Sequence, residues 1–237
     1  LRTVKQELVP AVDVLTCGFP CGPVAPIGKQ HGTEDPRWIC PDIVEFIAAM
    51  TQPPTTVIFE NVVGLLSNNG GATVREFLGS IAELGYALRW AVVQAGDAQA
   101  PHRRSRWFCL ATHADSSQLQ RRRVPHQLER PSAPQHRPGL AAVLAAPVHS
   151  PAPPDRDHDF DFQQFEPRIR RWELTTGWPA PSPLIDSHLN SLFSEWAMGL
   201  PPGWVTDLIP ARDDRFRLIG NAVVPQQAAL ALHCLTS

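Results

Sequence analysis

At 237 residues the chain has room for one substantial domain, or a domain with an inserted lobe, and for a sizeable core. Its hydrophobic fraction of 43% is ordinary for a globular protein, no run approaches the roughly 18 apolar residues of a membrane span, and the first residues lack the layout of a signal peptide, so the sequence reads as soluble and intracellular. The net charge of −2 excludes a surface coated in basic charge for indiscriminate nucleic-acid binding, five scattered cysteines exclude a secreted disulfide scaffold, and 25 prolines mark part of the chain as irregular.

In chain order, AVDVLTC (11 to 17) reads as a buried strand, and PDIVEFIAAM (41 to 50) sets Ile43, Phe46, Ile47 and Met50 on one helical face behind Pro41. TTVIFENV (55 to 62) is β-branched and apolar like a second buried strand. VREFLGSIAEL (74 to 84) repeats the helical spacing through Phe77, Leu78, Ile81 and Leu84 until Gly85 stops it. YALRWAVVQA and SRWFCLAT (105 to 112) are strand-like. This series predicts an α/β core with a mainly parallel sheet covered by helices.

After Asp115 the periodicity disappears. Eleven prolines fall between Pro131 and Pro183, and no packed domain is expected there. Order returns at 189 to 204, where Leu189, Leu192, Phe193 and Trp196 are expected to share a helical face. The chain then closes with a Gly220-Asn221 turn and a helix starting near Pro225.

Three polar clusters fall at the carboxyl ends of these strands, where open α/β sheets build their sites. They are Cys21 in GFPCGP, Glu60-Asn61 after the second strand, and His102-Arg103-Arg104-Ser105-Arg106 entering the last. A thiol near arginines suits a nucleophile, a carboxyl group can protonate a ring nitrogen, and fixed arginines can orient an electron-rich ring. Cys17, Cys21 and Cys40 with His31 fit no paired zinc spacing, so no metal is expected. From His102 to Arg137 there are eight arginines against Asp115 and Glu129, a local basic run of the kind that neutralises phosphates.

GFPCGP, FENVVGLL, APHRRSRWF and LIGNAVVPQQAA resemble, in order, four hallmark motifs of the DNA cytosine-5 methyltransferase family of bacteria and phages. FEPRIRRWELTTGWPAPSP and FSEWAMGLPPGWVTD resemble its later segments. The resemblance covers residues 13 to 114 and 159 to 232. It implies a partial Rossmann-like sheet of the S-adenosylmethionine-dependent methyltransferase kind with a small irregular target-recognition lobe. Residues 1–114 would be the catalytic core, N-terminally truncated; 115–188 the Pro-rich variable target-recognition region; and 189–237 a segment returning to the core.

The same resemblance implies that Cys21 attacks C6 of a cytosine flipped from duplex DNA while Glu60 protonates N3, with Arg104 and Arg106 bracing the base and the carboxylate. Pro20, Asn61 and Asn221 fall at the S-adenosylmethionine site, Asn61 also ordering the Glu60 turn. Arg103, Arg121, Arg122 and Arg123 are the candidate DNA-binding residues. A cytoplasmic, DNA-associated protein is expected. The Gly-rich F-x-G-x-G loop of the family has no counterpart here, which suggests the C-terminal portion of a methyltransferase: a truncated gene product, one half of a split enzyme whose missing N-terminal half is a separate chain, or a fragment of a longer reading frame. Gly22, Val24 and Ala25 stand where the family has Gln and a Phe-Ser pair, and His102 where it often has Gln. The rival readings are an inactive DNA-binding remnant, one subunit of a split enzyme, and a thiol enzyme pairing Cys21 with a histidine such as His102.

Overall fold

The computed structural model describes residues 4, 9–20, 38–113 and 155–237. Cys21, Arg121, Arg122 and Arg123 lie outside the described residues. Compactness divides the chain into one unit of residues 1–92, 105–129 and 231–237 and a second of residues 93–104 and 130–230. Residues 189–230 therefore group with 155–188.

The first unit carries the sheet. Strand β1 (Val14–Gly18) is followed by helix α1 (Cys40–Ala48), β2 (Thr56–Val62), α2 (Ala72–Glu83), β3 (Tyr86–Gln94) and β4 (Ser105–His113). The strand order is β1-β2-β4-β3. β1 runs parallel to β2 with Gly18 opposite Glu60, whereas β4 runs antiparallel to β2 with Arg106 opposite Val62. The sheet is thus mixed, where the alternation of elements predicted a mainly parallel one. The reason is the link between β3 and β4: residues 95–104 contain only a short 3-10 turn, and a parallel return needs a crossover of about a dozen residues or more.

The helices form where the apolar spacing places them. Ile43, Phe46 and Ile47 of α1 are buried, as is Met50 just beyond it. α2 buries Val74, Phe77 and Ile81 and ends before Gly85, whose φ of 90° suits a residue without a Cβ. Phe77 meets Phe59 of β2 edge to face at 5.1 Å and Phe19 at 5.4 Å, so the chain just after β1 is pinned to the same core as the centre of β2. β1 is not the buried strand its composition suggests. It stands at an end of the strand order, and Val14 is 52% exposed.

The second unit packs around tryptophans. Helix α3 (Glu166–Thr176) fully buries Trp172, whose Nε1 donates to Trp196 O at 2.9 Å, and Trp196 Nε1 donates to Trp178 O at 3.2 Å. Residues 155–183, expected to hold no packed structure, are in this respect a core. The sequence concealed it because α3 buries a charge: Glu173 is fully buried and takes hydrogen bonds from Arg156, Arg170 and the Ala180 N–H.

A two-stranded ribbon, β5 (Leu184–Ile185) and β6 (His188–Leu189), leads into α4 (Ser191–Ala197), whose N-terminus is capped by Asn190 accepting from Leu192 N at 3.0 Å. The buried face of α4 is Ser191, Glu195 and Trp196, while Leu189 and Leu192 of the expected face are exposed. Gly220 and Asn221 are not a turn but the last two residues of α5 (Arg212–Asn221). α6 (Pro225–Thr236) starts at the proline as expected. The stretch Arg212–Thr236 is apolar enough by composition to cross a bilayer as one helix, yet it is broken at Ala222, where ψ is 161°, into helices of 10 and 12 residues.

Candidate active site

The polar clusters of the first unit meet at the carboxyl end of β2. Glu60 and Arg106 lie on the same face of the antiparallel β2–β4 pair, one two-residue step apart, since Glu60 is opposite Phe108 and Arg106 opposite Val62. Arg106 Nε stands 3.0 Å from Glu60 Oε1, with the two side chains 15% and 22% exposed. Arg106 Nη1 donates to the Ser105 carbonyl at 2.9 Å. Among the described residues Nη2 has no partner, so one donor edge of the guanidinium is open to a ligand beside the carboxylate. On the other flank, a Cβ built on Gly18 would lie 3.6 Å from Glu60 Oε2, so the end of β1 passes alongside this carboxylate.

Asn61 holds that departure in place. It is 2% exposed; its Nδ2 donates to Phe19 O at 3.1 Å, and its Oδ1 accepts from Val62 N at 2.8 Å. A buried amide committed at both ends locks the end of β2 to the residue preceding Pro20. Pro20 itself is exposed.

In the second unit the arginine cluster has a different geometry. Arg104 Nη1 donates to Gly220 O at 2.7 Å and Nη2 to Ala222 O at 2.6 Å, so one guanidinium clamps the carbonyls on either side of Asn221. These carbonyls end α5, where the helix presents negative potential and a cation is favoured. Asn221 is left exposed, with no side-chain hydrogen bond among the described residues. His102 Nδ1 accepts from Arg104 N at 3.3 Å, and its Nε2 lies 3.1 Å from Ala197 O, the tautomer that donates there. A ring hydrogen-bonded at both nitrogens is a latch for the 102–104 backbone. Arg103 is exposed.

Two residues that the sequence reading missed support this unit. Gln227 is fully buried, and its Nε2 donates to Val93 O at 2.7 Å and to Arg104 O at 3.0 Å. Glu195, also fully buried, accepts from the backbone N–H groups of Gly203, Val205 and Thr206 and from the Thr206 hydroxyl, and so fixes the loop that carries Trp204, which is 54% exposed. The signal for Gln227 was its place within LIGNAVVPQQAA; for Glu195 it was a lone acid on the apolar stretch SLFSEWAM.

Of the four described thiols, Cys234 is exposed and the other three are withdrawn from reactivity by burial. Burial pushes Cys17 up to about 11 and Cys109 up to about 12, and Cys40 is raised further by burial and by the neighbouring Cys17 and Glu76. Each is held as a neutral thiol, the reverse of activation.

The model of the C-5 cytosine-specific DNA methylase family matches residues 1–175. Over 116 residues the chain is 34% identical to the type II methyltransferase M.BsuFI of Bacillus subtilis, covering 48% of this chain and 28% of that one. Over 113 residues it is 31% identical to the type II methyltransferase M.MspI of a Moraxella species, covering 47% and 27%. The match spans little more than a quarter of the length of either relative. A crystal structure of a DNMT2 mutant from Spodoptera frugiperda aligns with all of this chain and 85% of its own length, with a TM-score of 0.55 at 14% identity, which is a likeness of fold.

Proposed function

The chain belongs to the C-5 cytosine-specific DNA methylase family, and from that membership we propose that it transfers a methyl group from S-adenosylmethionine to C5 of a cytosine flipped out of duplex DNA, through a covalent adduct with Cys21. The observation that carries this reading is the Glu60–Arg106 pair at the end of β2, beside Gly18 at the end of β1. A flipped base is required because C5 and C6 are shielded within the stack.

In this reading the Cys21 thiolate adds to C6 while Glu60 gives a proton to N3, which leaves C5 electron-rich. The open Nη2 of Arg106 suits the base's O2, and its Nε keeps the carboxyl group in position. S-adenosylmethionine supplies an electrophilic methyl group and leaves as the neutral thioether. Loss of the C5 proton and departure of Cys21 then restore the 5,6 double bond and return the N3 proton to Glu60. Replacing Cys21 with Ser or Glu60 with Gln is expected to abolish or sharply reduce methyl transfer while leaving duplex binding intact. Unchanged methylation by the Cys21→Ser protein would refute the reading.

For the methyl donor, the exposed amide of Asn221, held between carbonyls that Arg104 clamps, is assigned a polar contact. Pro20 is assigned an apolar contact, and Asn61 serves the donor by fixing Phe19 before it. The further donor contacts are assigned to a Gly-rich segment that docks on the outer edge of β1, a strand edge unpaired among the described residues. Residues 115–188 act as the target-recognition region, 1–114 and 189–237 as the catalytic core. The reading places the protein on DNA in a bacterial cytoplasm as a modification enzyme.

A further inference from the structure

A cavity of about 230 Å³ lies wholly within the second unit, bordered by Arg103 and by Arg168 and Arg171 of α3, together with Gln94, Asp97 and Gln99. At about 30 Å³ per liquid water, it has room for a hydrated phosphate group. None of the three guanidinium groups has an ion-pair or hydrogen-bond partner among the described residues.

The lack of compensation has a structural cause. α3 contains two acids, and both are committed elsewhere: Glu166 to Arg156 and Arg170 at 3.0 and 2.9 Å, and Glu173 to the same two arginines at 2.7 and 3.0 Å. Arg168 and Arg171, three residues apart, share one exposed side of the helix. Asp97, the one acid at the cavity, accepts from Gln94 N at 2.9 Å and closes a capping box. Arg103 is carried by the short segment whose neighbour His102 is latched to Ala197 O. The lining therefore offers three arginines against one carboxylate, on a segment and a helix that are already fixed.

We propose that this cavity is a backbone-phosphate seat for the substrate duplex, with Arg168 and Arg171 as its principal ligands and Arg103 as the third. The proposal rests on the DNA-methylating reading above and deepens it. It adds two arginines outside the motifs that carry the chemistry, and a function for α3 that packing alone does not demand. Phosphate-binding side chains of this kind set register and orientation on DNA and leave sequence choice to other residues.

The test is a salt titration of binding to a duplex of mixed sequence, comparing the unaltered chain with Arg168→Gln/Arg171→Gln, Arg168→Lys/Arg171→Lys and the exposed control Arg217→Gln. The Gln pair should lower the magnitude of the log Kd versus log salt slope by about 0.9 for each phosphate left without its arginine. Each single Gln variant should show about half that change, the Lys pair should restore most of the slope, and Arg217→Gln should leave it unchanged. Melting curves check that each variant is folded. An unchanged slope in the folded Gln pair overturns the phosphate seat while leaving the DNA reading standing. Failure of the Lys pair to restore it points to base-edge recognition and also overturns the seat. Protection by inorganic phosphate that the Gln pair loses without any change in the DNA slope assigns the cavity to a free anion, which likewise overturns it. Failure of the unaltered chain to bind duplex sinks both the seat and the reading on which it rests.

Discussion

Arg104 and Arg106 stand two residues apart and do different work. Arg106 holds a carboxylate, whereas both terminal nitrogens of Arg104 hold the carbonyls around Asn221. The two should therefore fail differently. Arg104→Gln is expected to raise KM for S-adenosylmethionine with a smaller effect on kcat, because it loosens Asn221, the residue proposed to bind the donor; Asn221→Ala should do the same, and steady-state kinetics with varied donor checks it. Glu60→Gln should lower kcat by roughly 100- to 10,000-fold with duplex affinity retained, the range for removing a general acid. Thiol reactivity separates the cysteines in the same way: at pH 8, iodoacetamide should modify exposed Cys234 and spare Cys17, Cys40 and Cys109, as peptide mass mapping would show. Glu60, Arg104 and Arg106 were legible in the sequence because short ordered motifs name them. Asn61's hydrogen bond to Phe19 O was not, because a partner 42 residues away leaves no local trace.

At the scale of elements, α3 shows where pattern reading stops. Sequence periodicity treats charge as surface, yet here a buried carboxylate sits beneath Arg156, whose side chain is only 8% exposed. Burial works against the charged form of Glu173, but the hydrogen bonds of Arg156 and Ala180 and the charges of Arg156 and Arg170 outweigh it and hold its pKa below the ordinary 4.5. A depressed folded-state value means that the stabilisation is fully present above about pH 4.5 and is lost as pH falls through the lower folded value. Acid melts of the native chain should thus show a steep loss below pH 4.5 that Glu173→Gln flattens. Glu173→Ala, which leaves Arg156 buried without its partner, should cost about 3–5 kcal/mol. Gly199→Ala tests the packing from another side. At φ 69° a Cβ there would run into Gln226 Oε1 and stand 2.9 Å from Trp172 Cζ2, so a loss of about 1–3 kcal/mol is expected in chemical denaturation. The strands and the helices α1, α2 and α6 were readable from spacing alone because their buried faces are apolar. The face of α4 was misjudged because its buried members include Ser191 and Glu195.

Across the whole molecule, the chain crosses from one compact unit to the other between Arg104 and Ser105, inside the arginine cluster. One short stretch thereby contributes Arg103 and Arg104 to the second unit and Arg106 to the first. The mixed sheet follows from the same stretch: the ten residues between β3 and β4 cannot make a parallel crossover, and the strand they introduce brings Arg106 to Glu60. The central claim, that Cys21 and Glu60 act together on C6 and N3 of cytosine, is tested most directly by covalent capture on a duplex containing 5-fluorocytosine in the presence of S-adenosylmethionine. The fluorine blocks the final proton loss, so the native chain should yield a methylated protein–DNA adduct that survives denaturation and maps to Cys21, and the Cys21→Ser chain should yield none. An adduct of equal yield from the Cys21→Ser chain, or duplex binding by the native chain with no adduct, would contradict the account.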